Sequence, residues 1–164
     1  MRITNKFIYF WGDWTSNFYP CHFVTKDKKT FFCTEQYFMY IKAITFEDYE
    51  IAEKILLETK PSNCKKLGRQ VRNYDDKVWN EKRYQVMLDA NMMKFSQNLD
   101  LKDLLLNDDF EGKHFVEASP YDAIWGIKCS VRDAKDDKSN WKGLNLLGKV
   151  LDEVRLINNY EFNS

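Results

Sequence analysis

The chain has 164 residues, of which 44% are hydrophobic and 30% are charged, a balance that indicates a globular protein with a core of its own. Lys plus Arg and Asp plus Glu number 25 each, so overall charge excludes strong binding to a nucleic-acid backbone and leaves only a local basic patch. No apolar run reaches about 18 residues, which predicts a protein that does not cross a membrane.

The first residues do not resemble a secretory leader, so we expect a cytoplasmic protein, in the host cytoplasm if the gene is carried by a phage. The four cysteines are widely spaced without a CxxC pair, and His22 and His114 are the two histidines. This pattern predicts reduced thiols and favours no zinc site. We therefore expect no metal and no cofactor.

Taken in chain order, the first third predicts short strands before a helix. Residues 6–11 are apolar and β-favouring, residues 12–20 form a loop with three aromatic residues, and strands are predicted at 21–25 and 30–33 around a turn at 26–29. The aromatic loop is either tucked against the core or forms the rim of a pocket.

The remainder predicts mainly helices. They are expected at residues 34–43, 45–58, 76–97, 101–106 and 145–157, with a short basic helix after Pro61, a strand at 114–117 and a frayed tail at 158–164. The sequence thus predicts an α+β fold, mainly helical, with a buried central helix and a small antiparallel β portion. A single domain over residues 1–164 is expected, with its core at about 7–155.

The helix at residues 34–43 is the one around which the chain is organised. Thr34 is the expected cap, and Glu35, Met39 and Lys42 recur at i, i+4 and i+7, which places them on one helix face. The other faces are aromatic or aliphatic, so the helix is predicted to be buried. A buried acid and amine are costly unless paired or used, and the pattern alone fits either a structural ion pair or a functional pair.

Two other motifs are ambiguous or misleading. The basic residues around Arg69 and Arg72 fit a solvated helix face or an edge that contacts phosphate, which the forked donors of arginine suit. Residues 143–150 resemble a phosphate-binding GxxxxGK[ST] loop, but Val150 stands where a hydroxyl is needed and no buried strand precedes them. We therefore reject a P-loop.

Several motifs in the right order together resemble the NADAR (YbiA-like) domain family, over about residues 7–155. They are Ser16-Asn17-Phe18-Tyr19-Pro20, Thr34-Glu35-Gln36-Tyr37-Phe38 with Lys42-Ala43, Trp79 with Arg83, Met87 and Lys94-Phe95, Ser119-Pro120-Tyr121-Asp122 with Trp125-Gly126, residues 141–149, and Val154-Arg155. One departure lies beside the expected pocket, where Lys128 replaces a glycine.

The resemblance implies an N-glycosidase that cleaves a ribose–nitrogen bond in a ribosylaminopyrimidine intermediate of riboflavin synthesis or in ADP-ribosylated guanine. The substrate would be a ribosylated nucleobase or an ADP-ribosyl adduct, free or within modified DNA or RNA, with no membrane partner. A binding module that holds ADP-ribose or NAD without cleaving it is the alternative.

The resemblance also implies the site residues. Glu35, Lys42 and Asp122 are the expected catalytic residues, with Lys42 able to capture the anomeric carbon as a Schiff base. Trp125 is expected to stack on the base or shape the pocket, and Trp79 fits either that role or the core. The full set of expected substrate-binding residues is Ser16, Asn17, Phe18, Arg69, Trp79, Trp125, Gly126 and Asn145.

Overall fold

The computed structural model describes residues 1–163, within which helices dominate. The helices are α1 (Thr34–Thr45), α2 (Tyr49–Leu57), α3 (Pro61–Gly68), α4 (Asp76–Gln97), α5 (Leu99–Leu105) and α6 (Leu146–Asn163), with a 3₁₀ turn at Asp108–Phe110. The strands are β1 (Arg2–Ile3), β2 (Phe7–Phe10), β3 (Phe23–Val24), β4 (Thr30–Phe31) and β5 (His114–Glu117).

The chain forms two compact units, one of residues 17–99 and one of residues 1–16 with the residues from Asp100 onward. The expectation of one domain over residues 1–164 stays a prediction. No helix within the described residues is long and apolar enough to cross a bilayer.

Residues 17–99 are built around α1, which is buried as predicted and contacts α2, α3 and α4. The helix is not capped by Thr34, because Cys33 holds the cap position and its Sγ accepts a hydrogen bond from the Gln36 N–H at 3.4 Å. Thr34 is the first helical residue. Its hydroxyl donates to Asn17, whose side-chain Oδ1 lies at 2.9 Å, and so ties a preceding loop to the helix.

The other unit contains a three-stranded sheet in the order β1-β2-β5, with α6 packed on β5. The predicted fold class is confirmed, but the β portion is not wholly antiparallel. Strands β1 and β2 pair antiparallel, as do β3 and β4 in the other unit, whereas β2 and β5 are parallel with Phe7 opposite His114 and Phe10 opposite Glu117. All four residues of β2 are buried, as expected for a strand with a parallel neighbour.

The last helix differs from the prediction at both ends. Asn145 precedes it rather than beginning it, since the backbone there has φ +54°, outside the helical range. At the other end the helix continues through residues 158–163 instead of fraying, and the buried Asn158 donates from Nδ2 to the Val154 carbonyl at 2.8 Å. Ser164 lies outside the described residues.

The packing of α6 on β5 can be tested by substitution of Gly148. A Cβ at this position would meet the backbone carbonyl of Phe115, which cannot swing away as a side chain would. We expect Gly148→Ala to lower the free energy of unfolding by about 1–3 kcal/mol, measured by urea denaturation. The exposed neighbour Lys149→Ala should stay within about 0.5 kcal/mol of the parent. An unchanged midpoint for Gly148→Ala would contradict this close packing.

Candidate active site

One face of α1 carries the acid and amine that the sequence singled out. Glu35 lies in the first turn and is buried, with 7% of its surface exposed, and Lys42 follows two turns later and is half-buried. Met39 lies between them on the same face and is also buried. The structure therefore confirms that this helix holds both ionisable groups within an apolar environment.

The loop before β3 is held against the start of α1. The backbone oxygen of Asn17 accepts a hydrogen bond from the Glu35 N–H at 3.0 Å, in addition to the bonds with Thr34. Asn17 is itself 8% exposed, whereas its neighbour Phe18 is 39% exposed and has the Lys65 Nζ 5.8 Å from its ring centroid. The expected binding residues Asn17 and Phe18 thus lie at the Glu35 end of the helix.

Helix α3 approaches α1 closely because Gly68 has no side chain. A Cβ on Gly68 would overlap the Met39 side chain, so glycine allows the two helices to pack at this point. Arg69 follows directly and is exposed. Its charge acts on Lys42, which places this arginine near the amine end of the α1 face.

Three influences set the protonation of Lys42. Burial lowers the pKa of its amine below the ordinary value, Glu35 opposes that shift because a carboxylate favours the ammonium form, and Arg69 adds to the lowering. The net direction is a lowered pKa, so more of the amine is neutral at a given pH than in a free lysine. A neutral amine is the form that can act as a nucleophile.

Tyr74 is a site residue that sequence reasoning missed. The Lys42 Nζ lies 4.6 Å from its ring centroid, within the range of a cation–π contact. The ring is positioned by its hydroxyl, which donates to Asp76 Oδ1 at 2.8 Å, and by Phe46 at a centroid distance of 5.3 Å. Nothing in the spacing of Tyr74 could have placed it here, because it lies in an irregular segment between helices.

The basic stretch after Pro61 is only partly available to a ligand. Arg72 donates to both carboxylate oxygens of Asp48, the N-cap of α2, at 2.8 and 3.2 Å. This hydrogen-bonded arginine holds the pKa of the Asp48 carboxyl well below its usual range. Arg72 therefore has a structural role, whereas Arg69 keeps its exposed position and its predicted binding role stays a prediction.

Lys94 is another amine in this unit, and unlike the half-buried Lys42 it has no exposed surface. Its Nζ lies 5.2 Å from the Phe95 ring centroid and 5.8 Å from that of Tyr19. Its charge also opposes the effect of burial on Cys21, whose pKa is raised. Sequence reasoning placed Lys94 within a family motif beside Phe95, but it did not predict that this lysine is buried.

Trp79 is placed in the core of this unit. Its side chain is 5% exposed, with the ring centroids of Phe38 and Phe46 at 5.0 and 6.4 Å. These contacts favour the core role among the two that the sequence left open. The binding role remains a prediction that the contacts do not support.

In the other unit, the remaining predicted residues lie on the segments that follow β2 and β5. Parallel strands end at the same edge of a sheet, and the Ala118 N–H donates to the Phe10 carbonyl at 2.8 Å directly beyond that edge. The loop after β2 contains Ser16, whose N–H donates to the Asp13 carbonyl at 2.8 Å. The segments after β5 contain Asp122, Trp125, Gly126 and Asn145.

The Asp122 carboxylate is fixed by its own turn. Its Oδ1 accepts hydrogen bonds from the N–H groups of Ile124 and Trp125, each at 2.8 Å, and the Ser119 hydroxyl oxygen accepts one from the Asp122 N–H at 3.2 Å. Asp122 is half-buried. The turn therefore presents the carboxylate in one orientation at the strand ends, and its catalytic role stays a prediction.

The Asn145 amide is used to join β5 to the following loop. Oδ1 accepts from the Glu117 N–H at 2.9 Å, Nδ2 donates to the Phe115 carbonyl at 3.0 Å, and the backbone N–H donates to the Gly126 carbonyl at 3.1 Å. Gly126 is buried, and a Cβ there would lie 2.8 Å from the Glu117 carbonyl oxygen. Both residues thus shape the loop that holds Asp122 and Trp125, and direct contact of either with a substrate stays a prediction.

Within the part of the chain that the structure describes, no group of three or more His, Cys, Asp or Glu side chains is arranged to hold a metal ion.

Comparison with known proteins assigns the family. The sequence model of the NADAR domain matches residues 9–157, which is most of the chain. The chain therefore belongs to the NADAR domain family, as its motifs indicated.

Relatives and a solved structure agree with this assignment. The chain is 43% identical to Protein irg-1 of Caenorhabditis elegans over 156 residues, covering 85% of this chain and 73% of that protein. It is also 43% identical over 122 residues to a protein of Acanthamoeba polyphaga mimivirus named an N-glycosidase, covering 74% and 71%. The NMR structure of the Escherichia coli protein YbiA superposes with a TM-score of 0.78 at 28% identity, covering 99% of this chain and 90% of that one.

The opposing effects of Arg69 and Glu35 on Lys42 can be measured without turnover. Removing the arginine charge in Arg69→Met should raise the pKa of the Lys42 amine, and removing the carboxylate charge in Glu35→Gln should lower it. The measurement is an NMR titration of protein labelled with ¹³C at lysine Cε, with the exposed Lys66 as the internal reference. Shifts of the opposite signs, or no shift in either variant, would contradict this electrostatic arrangement.

Proposed function

We propose that the protein is an N-glycosidase that hydrolyses the ribose–nitrogen bond of an ADP-ribosylated guanine base or of a ribosylaminopyrimidine intermediate. The observation that carries the proposal is the amine of Lys42, with its lowered pKa, on the same buried helix face as Glu35. The mimivirus relative that is named an N-glycosidase supports the same reaction class.

The transition state needs stabilisation on both sides of the breaking bond. As the C1′–N bond breaks, positive charge develops on the sugar and the base leaves with the electron pair, so a carboxylate near the sugar and a proton for the base lower the barrier. In the proposed mechanism the neutral Lys42 amine attacks C1′ as the base leaves with the electron pair of the C1′–N bond, and one amine proton passes through Glu35 to the departing base. The ribose ring then opens to an imine between C1′ and Nζ as the second amine proton is transferred to the ring oxygen. Water then adds to the imine and releases the sugar aldehyde and the free amine.

Glu35 is the proton acceptor in this scheme. It can take a proton from the attacking amine or from a ribose hydroxyl, since it is a buried carboxylate on the same helix face. Because its charge also favours the ammonium form of Lys42, burial and Arg69 are needed to offset it. The helix face therefore has to provide both a proton acceptor and an amine that is partly neutral.

The exposed basic groups near this face favour a substrate with phosphate. Arg69 is exposed beside the amine end, and the guanidinium group suits phosphate oxygens. Both proposed substrates are phosphorylated sugars, so this feature supports the class without choosing between them. Asp122 is proposed as a second acid, and the Asp122→Asn variant tests that role separately.

The test is product analysis by mass spectrometry. Purified protein is given a guanine-ADP-ribosylated oligonucleotide or a ribosylaminopyrimidine phosphate, and release of the free base is followed over time. Lys42→Ala and Glu35→Gln should each slow release by about 10³-fold or more, as is usual for a nucleophile or its base, and Asp122→Asn should also slow it. The exposed Lys66→Ala, a lysine on α3, is the matched control and should retain the parent rate.

The same assay separates the proposal from a non-catalytic role. A parent protein that releases no base from either substrate, yet is stabilised against heat by ADP-ribose or NAD, would be a binding module and would refute the enzyme. Full activity in Lys42→Ala would leave the reaction class intact and refute the imine mechanism.

A further inference from the structure

Two aromatic rings lie together, largely exposed, at the edge where β2 and β5 end. Trp11 directly follows β2 and is 51% exposed, and Tyr121 lies four residues after β5 and is 80% exposed. Their ring centroids are 5.9 Å apart with an angle of 58° between the planes. Single exposed aromatic residues are normal, but a contacting pair forms an apolar surface patch, which is the kind of feature that marks an interaction site.

The position of this pair follows from the topology. Because β2 and β5 are parallel, the residues that follow them emerge at one edge, and the Phe10 carbonyl bonds the Ala118 N–H at that point. Tyr121 immediately precedes Asp122, so the ring lies in the same turn as the fixed carboxylate. We call Trp11 and Tyr121 the aromatic platform.

Two lysines accompany the platform on the neighbouring segments. Lys128 donates its backbone N–H to the Asp122 carbonyl at 3.0 Å, and Lys142 donates its backbone N–H to the Ile127 carbonyl at 2.8 Å. Both side chains are exposed. Lys128 also has φ +51°, a conformation that a residue with a side chain adopts at a cost and that glycine would adopt more easily.

Two carboxylates at this edge, those of Asp13 and Asp122, are engaged in local turns, and Glu117 at the end of β5 adds a third. Asp13 accepts hydrogen bonds from the N–H and hydroxyl of Thr15, and Asp122 accepts from two backbone N–H groups. Their charges still offset those of the two lysines in part. Any phosphate attraction here is therefore modest, and ring stacking must supply most of the binding.

We propose that the aromatic platform binds a nucleobase of a single-stranded nucleic acid, with Lys128 and Lys142 near its phosphates. Stacking of bases on exposed rings beside basic side chains is how such strands are bound without sequence preference. A free nucleotide is the less suitable ligand, because small-molecule sites enclose most of the ligand whereas a ring that is 80% exposed encloses little. This inference rests on the proposed function, because the bound strand would carry the ribosylated base that the enzyme releases.

The test is binding of an unmodified, fluorescently labelled oligothymidine of eight nucleotides, followed by anisotropy at low salt. We expect weak binding, about 10⁻⁴–10⁻⁶ M as for other non-specific complexes, which Trp11→Ala and Tyr121→Ala each weaken by about 5- to 100-fold. Tyr121→Phe keeps the ring and should bind like the parent. The matched control is Tyr160→Ala, an exposed tyrosine on α6, which should also bind like the parent.

Salt dependence tests the lysines separately. If the two lysines neutralise about two phosphates, log K should fall with log salt at a slope of about −1.4. Lys128→Ala or Lys142→Ala should each reduce the steepness of that slope by about 0.7. The exposed Lys149→Ala should leave the slope unchanged.

Three results would overturn the proposal. The first is no binding of the oligonucleotide by the parent, the second is binding that both platform variants retain, and the third is thymidine monophosphate or ADP-ribose binding as tightly as the oligonucleotide. Because the strand is unmodified, no turnover is needed. Failure of this test beside normal base release from a free substrate would refute the platform alone, whereas strand binding without base release would refute the proposed function alone.

Discussion

Burial of Glu35 and Lys42 along one face of α1 is the interaction on which the organisation of residues 17–99 depends. Removing a carboxylate and an amine from water is unfavourable, and several features of this unit lie where they act on this pair or on the helix that carries it. Gly68 lets α3 approach, Arg69 and Tyr74 lie close to the amine, and Asn17 is bonded to the start of the helix.

In the sheet unit, side-chain hydrogen bonds fix the short loops at the ends of two parallel strands. The Asn145 amide bonds the backbone of β5 on both of its polar atoms, and the Asp122 carboxylate closes its own turn. These bonds use the side chains that a sequence motif would assign to a ligand. A motif can therefore reflect the shape of a loop as much as contact with a substrate.

The sequence predicted the elements whose signal is local, and it missed what depends on distant residues. The apolar residues on the other faces of α1 predicted its burial, the period of apolar residues identified the long α4, and the i, i+4, i+7 spacing placed Glu35 and Lys42 on one face. The parallel pairing of β2 with β5 was missed, because their partners lie more than a hundred residues apart. Tyr74 was missed for the same physical reason, since its contact with Lys42 arises only after the intervening helices have packed.

The most direct test of the central claim is to trap the covalent intermediate on α1. Borohydride added during turnover reduces an imine between Lys42 and the opened ribose to a stable secondary amine, and mass spectrometry of proteolytic peptides then locates the added sugar. The account predicts a substrate-dependent adduct on the peptide containing Lys42, which is lost in Lys42→Ala. An adduct on another lysine, such as the buried Lys94, or base release with no adduct under trapping conditions, would contradict it.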